Sequence, residues 1–249
     1  MHQQCPVKMT TSLPALDQNQ VHVWTIQLET DKAGIAHHAS LLSAEETSRA
    51  ERIRIPEVKQ RFIIARASLR RILALYMGGD AAALGFEYGQ AGKPHLGKNS
   101  GLHFNLSYSH RMAKVAVAMH RAVGIDIQAI AQVADAESVA RLVFSPAEIS
   151  GLLSRPVHEQ QLAFTQTWVR KEAYIKALGT GFTRPAHQFC VSQAAGDTDA
   201  LRSDEHNRLA TAEWRLMQIE APGGYCAALA AAGRDWHPIE IEPDILHEA

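Results

Sequence analysis

The sequence predicts an α+β fold. Two observations carry that. The segments run strand, helix, strand meander, helix, strands, which groups helices and sheet strands in blocks instead of alternating them one by one. The strand-like runs between Leu102 and Ile127 are also joined by only a few residues, too few for the crossovers of a parallel sheet. A chain of 249 residues can bury a large core as one domain or as two similar halves.

Residues 21–28 (VHVWTIQL) are rich in β-branched and aromatic side chains and read as a strand. Ser43 with Glu46 three positions later is a capping-box signature, opening a helix that reads to about Arg54. Pro56 breaks that helix or opens a second one. Phe62, Ala65, Leu69, Ile72 and Leu73 then keep a helical period until Gly78-Gly79 stops it. Basic residues including Arg49, Arg52, Arg54, Lys59 and Arg61 surround that stripe, either as a solvated face or as an anion-binding edge.

Residues 86–88 read as a short strand and GQAGKP (89–94) as a turn holding Lys93. LHFNLSY (102–108), KVAVAM (114–119) and VGIDI (123–127) read as an antiparallel meander. Ser145-Pro146 with Glu148 opens a further helix. A long helix reads from about Val157 to Leu178 and stops at Gly179. Strands are expected at residues 188–192, 213–220 and 224–231, and the tail from Trp236 reads as polar, Pro-containing chain.

Composition narrows the function classes. A formal net charge of -1 provides no whole-chain field for nucleic acid or membrane. Cys5, Cys190 and Cys226 lie far apart, which argues against a disulfide framework or zinc site and suits a reducing compartment. The first twenty residues lack an apolar signal core, and no run reaches the ~18 apolar residues of a membrane span, so a cytoplasmic location is expected. GQAGKP lacks the hydroxyl residue that a P-loop needs after its lysine, and Gly179-Thr-Gly181 ends a helix instead of opening one. No H-E-x-x-H or G-x-S-x-G motif is present.

Chemistry concentrates in three segments. On the long helix, Lys171 and Glu172 fall on or beside the apolar stripe of Phe164, Trp168, Ile175 and Leu178. Charges there need partners. Either Glu172 and Lys176 form an ordinary i,i+4 pair, or this edge lines a cleft that holds a metal and phosphates. Asp126 and Gln128 share one face of an otherwise apolar strand. Asp126 is then a hydrogen-bonding group at a strand end or an oxygen ligand for a hard cation. Asn105, Ser107 and Ser109 share one face of FNLSYS, either as outward polar residues or as donors to phosphate.

Taken together, these segments resemble the large-type 4'-phosphopantetheinyl transferases, which activate non-ribosomal peptide and polyketide synthases. The resemblance is carried by Gly92-Lys93-Pro94, FNLSYS, VGIDIQ, Phe144-Ser145-x-x-Glu148 and W-x-x-K-E-A-Y-x-K-A-x-G-x-G-F from Trp168 to Phe182, over about residues 86–182. It implies two pseudo-twofold-related α/β halves, 1–119 and 120–249, with the active site in the cleft between them, in a monomer. It also implies transfer of the 4'-phosphopantetheine group of coenzyme A to a serine of an acyl or peptidyl carrier protein, with Mg2+. By position, Asp126, Gln128 and Glu172 correspond to the metal site. Lys93, Ser107, Tyr108, Lys171, Lys176, Arg49 and Arg61 correspond to coenzyme A contacts. Glu172, Lys176 and Glu148 are the candidate catalytic residues, with Glu172, Glu148 or a metal-bound water as base.

Two positions depart from the family pattern. Tyr108 stands where the family often has His, and it offers one hydrogen bond but no imidazolium charge. Gln128 stands where the family often has Glu, so weak metal binding is expected until the donor's phosphates arrive. These departures motivate the alternative of a non-catalytic module that binds coenzyme A or a carrier protein. A third reading is a generic nucleotide-using phosphotransferase.

Overall fold

The computed structural model describes residues 13–89, 91–97, 100–131 and 136–248. Cys5, Gln90 and most of the N-terminal polar segment lie outside them. The first part of the chain forms strand β1 (Gln20–Gln27), helices α1 (Lys32–Ser40), α2 (Ala44–Glu51) and α3 (Pro56–Met77), the small hairpin β2 (Glu87–Tyr88) and β3 (Pro94–His95), and the hairpin β4 (Leu102–Ser109) and β5 (Met112–Met119). The same plan then repeats. Strand β6 (Val123–Ala129) leads to helices α4 (Ala136–Val143), α5 (Pro146–Leu153) and α6 (Val157–Leu178). The hairpin β7 (Phe189–Val191) and β8 (Leu201–Asp204), helix α7 (Ala210–Glu213), and the hairpin β9 (Trp214–Ile219) and β10 (Tyr225–Ala232) follow. Strand β11 (His237–Ile241) and helix α8 (Ile245–Glu248) end the chain.

The strand order is β11-β1-β5-β4 in one sheet and β6-β10-β9 in the other. In each, the opening strand pairs antiparallel with the last strand of its hairpin, which pairs antiparallel with the one before it. This duplicated connectivity is the two-half α+β architecture. Each sheet carries one long helix. Helix α3 packs Leu69, Ile72 and Leu73 against Trp24, Val115 and Val117, and α6 packs Ala173 and Ala177 against Ala228 and Ala230. The opposite faces meet in a third core, where Val21, Val23 and Ala116 lie with Ile125, Ile127 and Leu229. Period-2 alternation allows one strand to serve both cores: Val23 faces the shared core and Trp24 faces the helix.

The local signals repeat as well. Ser43–Glu46 and Ser145–Glu148 each form a complete capping box, with the serine accepting from the glutamate N–H and the glutamate accepting from the serine N–H. Both long helices end at glycines in the left-handed region, Gly78 at φ 67° and Gly179 at φ 69°, a conformation a Cβ disfavours.

Three expectations need correction. The meander stops after β5, because β6 pairs with β10 instead. The tail is structured: β11 adds parallel to β1 and buries Ile241, an alternation that Pro238 and the flanking charges mask in the sequence. Helix α1 was not expected because it buries no residue and so has no apolar stripe.

Strand β1 carries the buried rings of His22 and Trp24. Both bond the Tyr76 hydroxyl, His22 through Nδ1 at 2.8 Å and Trp24 through Nε1 at 3.0 Å. His22 is fully buried, and burial pushes its pKa from 6.5 down to about 4, against a small opposing effect of Asp17. The unfolded chain therefore binds a proton below 6.5 that the folded chain refuses. Stability should be full above that pH and fall as the pH drops toward 4, with about 2 kcal/mol lost between pH 7 and 5 from this residue. Chemical denaturation across that range checks it, since His22→Gln should flatten the slope. An unchanged slope would refute the assignment.

Candidate active site

The site forms where β4, β6 and α6 converge. Strands β4 and β6 are edges of different sheets lying side by side, and their main chains do not pair. Edge groups left unpaired in a buried seam are costly, and two polar side chains of β4 satisfy main-chain donors of β6, while a third reaches a β6 side chain. Asn105 Oδ1 accepts from Ile125 N at 2.9 Å, and Ser109 Oγ accepts from Ala129 N at 3.2 Å. Ser107 Oγ donates to Asp126 Oδ1 at 2.6 Å. The polar face of FNLSYS therefore joins the two halves, a role beyond the solvent-facing and phosphate-donating ones that its alternation suggests.

Gly124 brings α6 down onto β6. A Cβ at that position would collide with the backbone of Ala173 and Ala177. This close approach sets Asp126 under the last turns of α6, where Lys176 Nζ lies 2.5 Å from Asp126 Oδ1 and 2.9 Å from Ser107 Oγ. The ammonium thus pairs across to the strand, and the simple Glu172–Lys176 pair considered from spacing is not the arrangement found. Glu172 is half-buried, and its pKa is raised by burial and by the neighbouring Asp126 carboxylate, with Lys176 opposing. Two carboxylates from a strand and a helix therefore share one electrostatic environment.

Glu172 and Lys176 line a cavity of about 400 Å³ with Lys93, Asn105, Trp168 and Arg184. That volume falls within the usual range for small-molecule sites. Lys93 reaches in from the turn before β3 and donates to Val123 O at 2.8 Å and Lys176 O at 2.6 Å, and burial lowers its pKa to about 8. It ties the first half to the end of α6. Apolar walls come from Val143, Trp168, Ile175 and Ala186. Arg184, which no motif marks, also lines the cavity and pairs with buried Asp204. Its only signal was a basic residue just past the long-helix motif.

The remaining site candidates lie elsewhere. Glu148 and Lys171 are turned into the core and do not line the cavity. They form an ion pair at 2.9 Å with side chains 1% and 3% exposed. Glu148 also accepts from Ser145 N and Val191 N, and Lys171 donates to Ala186 O and Phe189 O. With its oxygens so engaged, Glu148 is a buried structural partner and is poorly placed to take a proton from a substrate. Gln128 borders a neighbouring pocket with Thr165 and Trp168. Tyr108 is partly exposed on β4, and burial raises its pKa while the charges of Arg49 and Arg66 act against that rise. Arg49 of α2 and Arg66 of α3 therefore lie close enough to Tyr108 for their charges to act on it. Arg49 covers the Phe62 ring at 5.4 Å, and Arg61 is half-buried on α3.

Comparison with known proteins places the chain. A family model described as the 4'-phosphopantetheinyl transferase superfamily matches residues 122–230. The chain is 36% identical over 224 residues to the 4'-phosphopantetheinyl transferase HetI of Nostoc sp., covering 88% of this chain and 91% of that protein. It is 26% identical over 198 residues to the 4'-phosphopantetheinyl transferase Sfp of Bacillus subtilis, covering 79% and 85%. Among solved structures, the holo-[acyl-carrier-protein] synthase of Thermotoga maritima matches at 20% identity and a TM-score of 0.34, over 45% of this chain and 63% of that one. The chain belongs to the 4'-phosphopantetheinyl transferase superfamily and is an enzyme that transfers phosphopantetheine to a carrier protein.

Proposed function

We propose that the donor is coenzyme A, that adenosine 3',5'-bisphosphate leaves, and that Mg2+ bound by Asp126 and Glu172 supports the transfer. The observation that carries this is Asp126 Oδ2, which is buried and accepts no hydrogen bond. An unpaired buried carboxylate oxygen beside a second carboxylate is costly unless a cation completes it. All-oxygen donors of this kind suit Mg2+, which keeps several waters and shares its site with phosphates. When bound, the ion would neutralise charge on the diphosphate and its leaving group.

The chain's own residues supply the rest. Lys176 lines the same cavity and would offset charge developing on phosphates bound there. Lys93 fixes the main chain under Lys176. Ser107 orients Asp126. Arg49 and Arg61, with Tyr108 opposite, form the basic side that would hold the nucleotide end. Glu172, with its pKa raised, is the better placed of the two candidate carboxylates to accept the serine proton. Gln128, two residues beyond Asp126 on β6 but lining the neighbouring pocket, would offer a neutral carbonyl where the family often has a charge. The seam between residues 1–119 and 120–249 is the cleft in this reading, with β11 returned to the first half. No helix among the described residues is long and apolar enough to cross a membrane, and we read the enzyme as a cytoplasmic monomer.

Intact mass of an apo carrier protein, incubated with enzyme, MgCl2 and coenzyme A, tests this. The expected result is addition of one phosphopantetheine arm with stoichiometric release of adenosine 3',5'-bisphosphate. Failure to modify any member of a panel of acyl and peptidyl carriers would favour a binding module instead.

A further inference from the structure

The placement of Lys176 has a consequence for how the site loads, one that rests on the proposed Mg2+ reading. We propose that Lys176 is the site's internal counter-ion: without donor its ammonium sits on Asp126 where a divalent cation would bind, and it moves to the donor's phosphates when the cation enters. Binding of cation and binding of donor are thereby coupled.

Four observations support this. Lys176 Nζ is 2.5 Å from Asp126 Oδ1, a direct charge pair inside the seam. Ser107 Oγ takes the same Oδ1 at 2.6 Å and also accepts from Lys176 at 2.9 Å, so one oxygen of Asp126 is fully engaged while Oδ2 is left unpartnered. Glu172 feels both charges, so the ammonium partly offsets two carboxylates that would otherwise repel. The Lys176 side chain is also 28% exposed and lines the cavity, whereas that of Asp126 is 6% exposed. Of the two partners, the lysine is free to leave.

Its backbone is held meanwhile. Lys93 Nζ bonds Lys176 O at 2.6 Å, so the side chain can swing on a fixed main chain. A divalent ion approaching Asp126 in the absence of donor meets an ammonium already in contact with its ligand, and like charges at that range repel. A diphosphate removes the conflict by giving both cations a partner. By linkage, each ligand then raises the affinity of the other by the same factor.

Mn2+ binding, followed by the electron paramagnetic resonance signal of the free ion, tests this without turnover, since no carrier is present. Wild-type protein should bind Mn2+ weakly alone and at least tenfold more tightly with coenzyme A, after subtraction of the binding to coenzyme A itself. Lys176→Met alone should bind Mn2+ at least tenfold more tightly than wild type alone, and the gain from coenzyme A should shrink below threefold. If Lys176→Met melts too early to titrate, Lys176→Gln removes the charge while keeping a hydrogen bond to Asp126, and the same result is expected. Donor-free affinity in these variants equal to or weaker than wild type overturns the counter-ion role. Asp126→Asn and Glu172→Gln separate the two levels: if neither lowers Mn2+ binding in the presence of coenzyme A, the metal reading itself fails.

Discussion

Glu172→Gln should lower turnover by roughly 10²–10³-fold, the usual cost of losing one preorganised electrostatic group at a reaction centre. The protein should meanwhile stay folded and become as stable as wild type or more so. The second half follows from the electrostatics of the site. Burial and Asp126 both raise the Glu172 pKa, so the folded protein pays to keep this group ionised. A neutral isostere relieves the repulsion, the usual pattern where function is held at some cost in stability. Initial rates of holo-carrier formation, together with a melting curve, decide it. Wild-type turnover would remove Glu172 from the chemistry, and a large loss of stability would show that it is structural.

The opposite outcome is expected for Glu148. Glu148→Gln should destabilise the fold by about 3–5 kcal/mol, because it strands the Lys171 ammonium in the core without its counter-charge. For a chain of this size that amounts to a fall in Tm on the order of 10 °C. Burial already lowers the Lys171 pKa, and the Glu148 carboxylate is the main influence opposing it. Turnover per folded molecule, measured well below the melting temperature, should be nearly unchanged in kcat. Any effect should fall on KM, since Lys171 also holds Ala186, which lines the cavity. A stable variant with kcat reduced a hundredfold would instead make Glu148 the base.

These two glutamates show where sequence reasoning reached and where it stopped. Both sit in legible patterns, Glu148 in a capping box and Glu172 in a charged step on an apolar helix. The helix start at Ser145-Pro146 with Glu148 at the third position agrees with the structure, which closes it into a full capping box, because it depends only on residues three apart. What the pattern did not carry was the destination of the carboxylate. Glu148 is 2% exposed and bonds Val191, 43 positions away, and no local spacing records such a contact. The same holds for Lys171, which the motif placed among the coenzyme A contacts and the fold placed against Phe189. Asn105, Ser107 and Ser109 alternated as expected, but the groups they satisfy belong to a strand of the other sheet. Arg184 was missed because it carries no pattern until Asp204 and the cavity are brought beside it.

The long helices and their glycine stops, the capping boxes of the short helices α2 and α5, most of the strands and the family are all legible in the chain of residues alone, because each rests on periodicity, backbone conformation or a contiguous motif. Which charged side chains face the cavity and which neutralise one another in the core is settled by packing, since that depends on the seam between two sheet edges and on how closely Gly124 lets α6 approach β6. Burial sets the cost of every charge, and burial arises only when segments far apart in the chain are packed together.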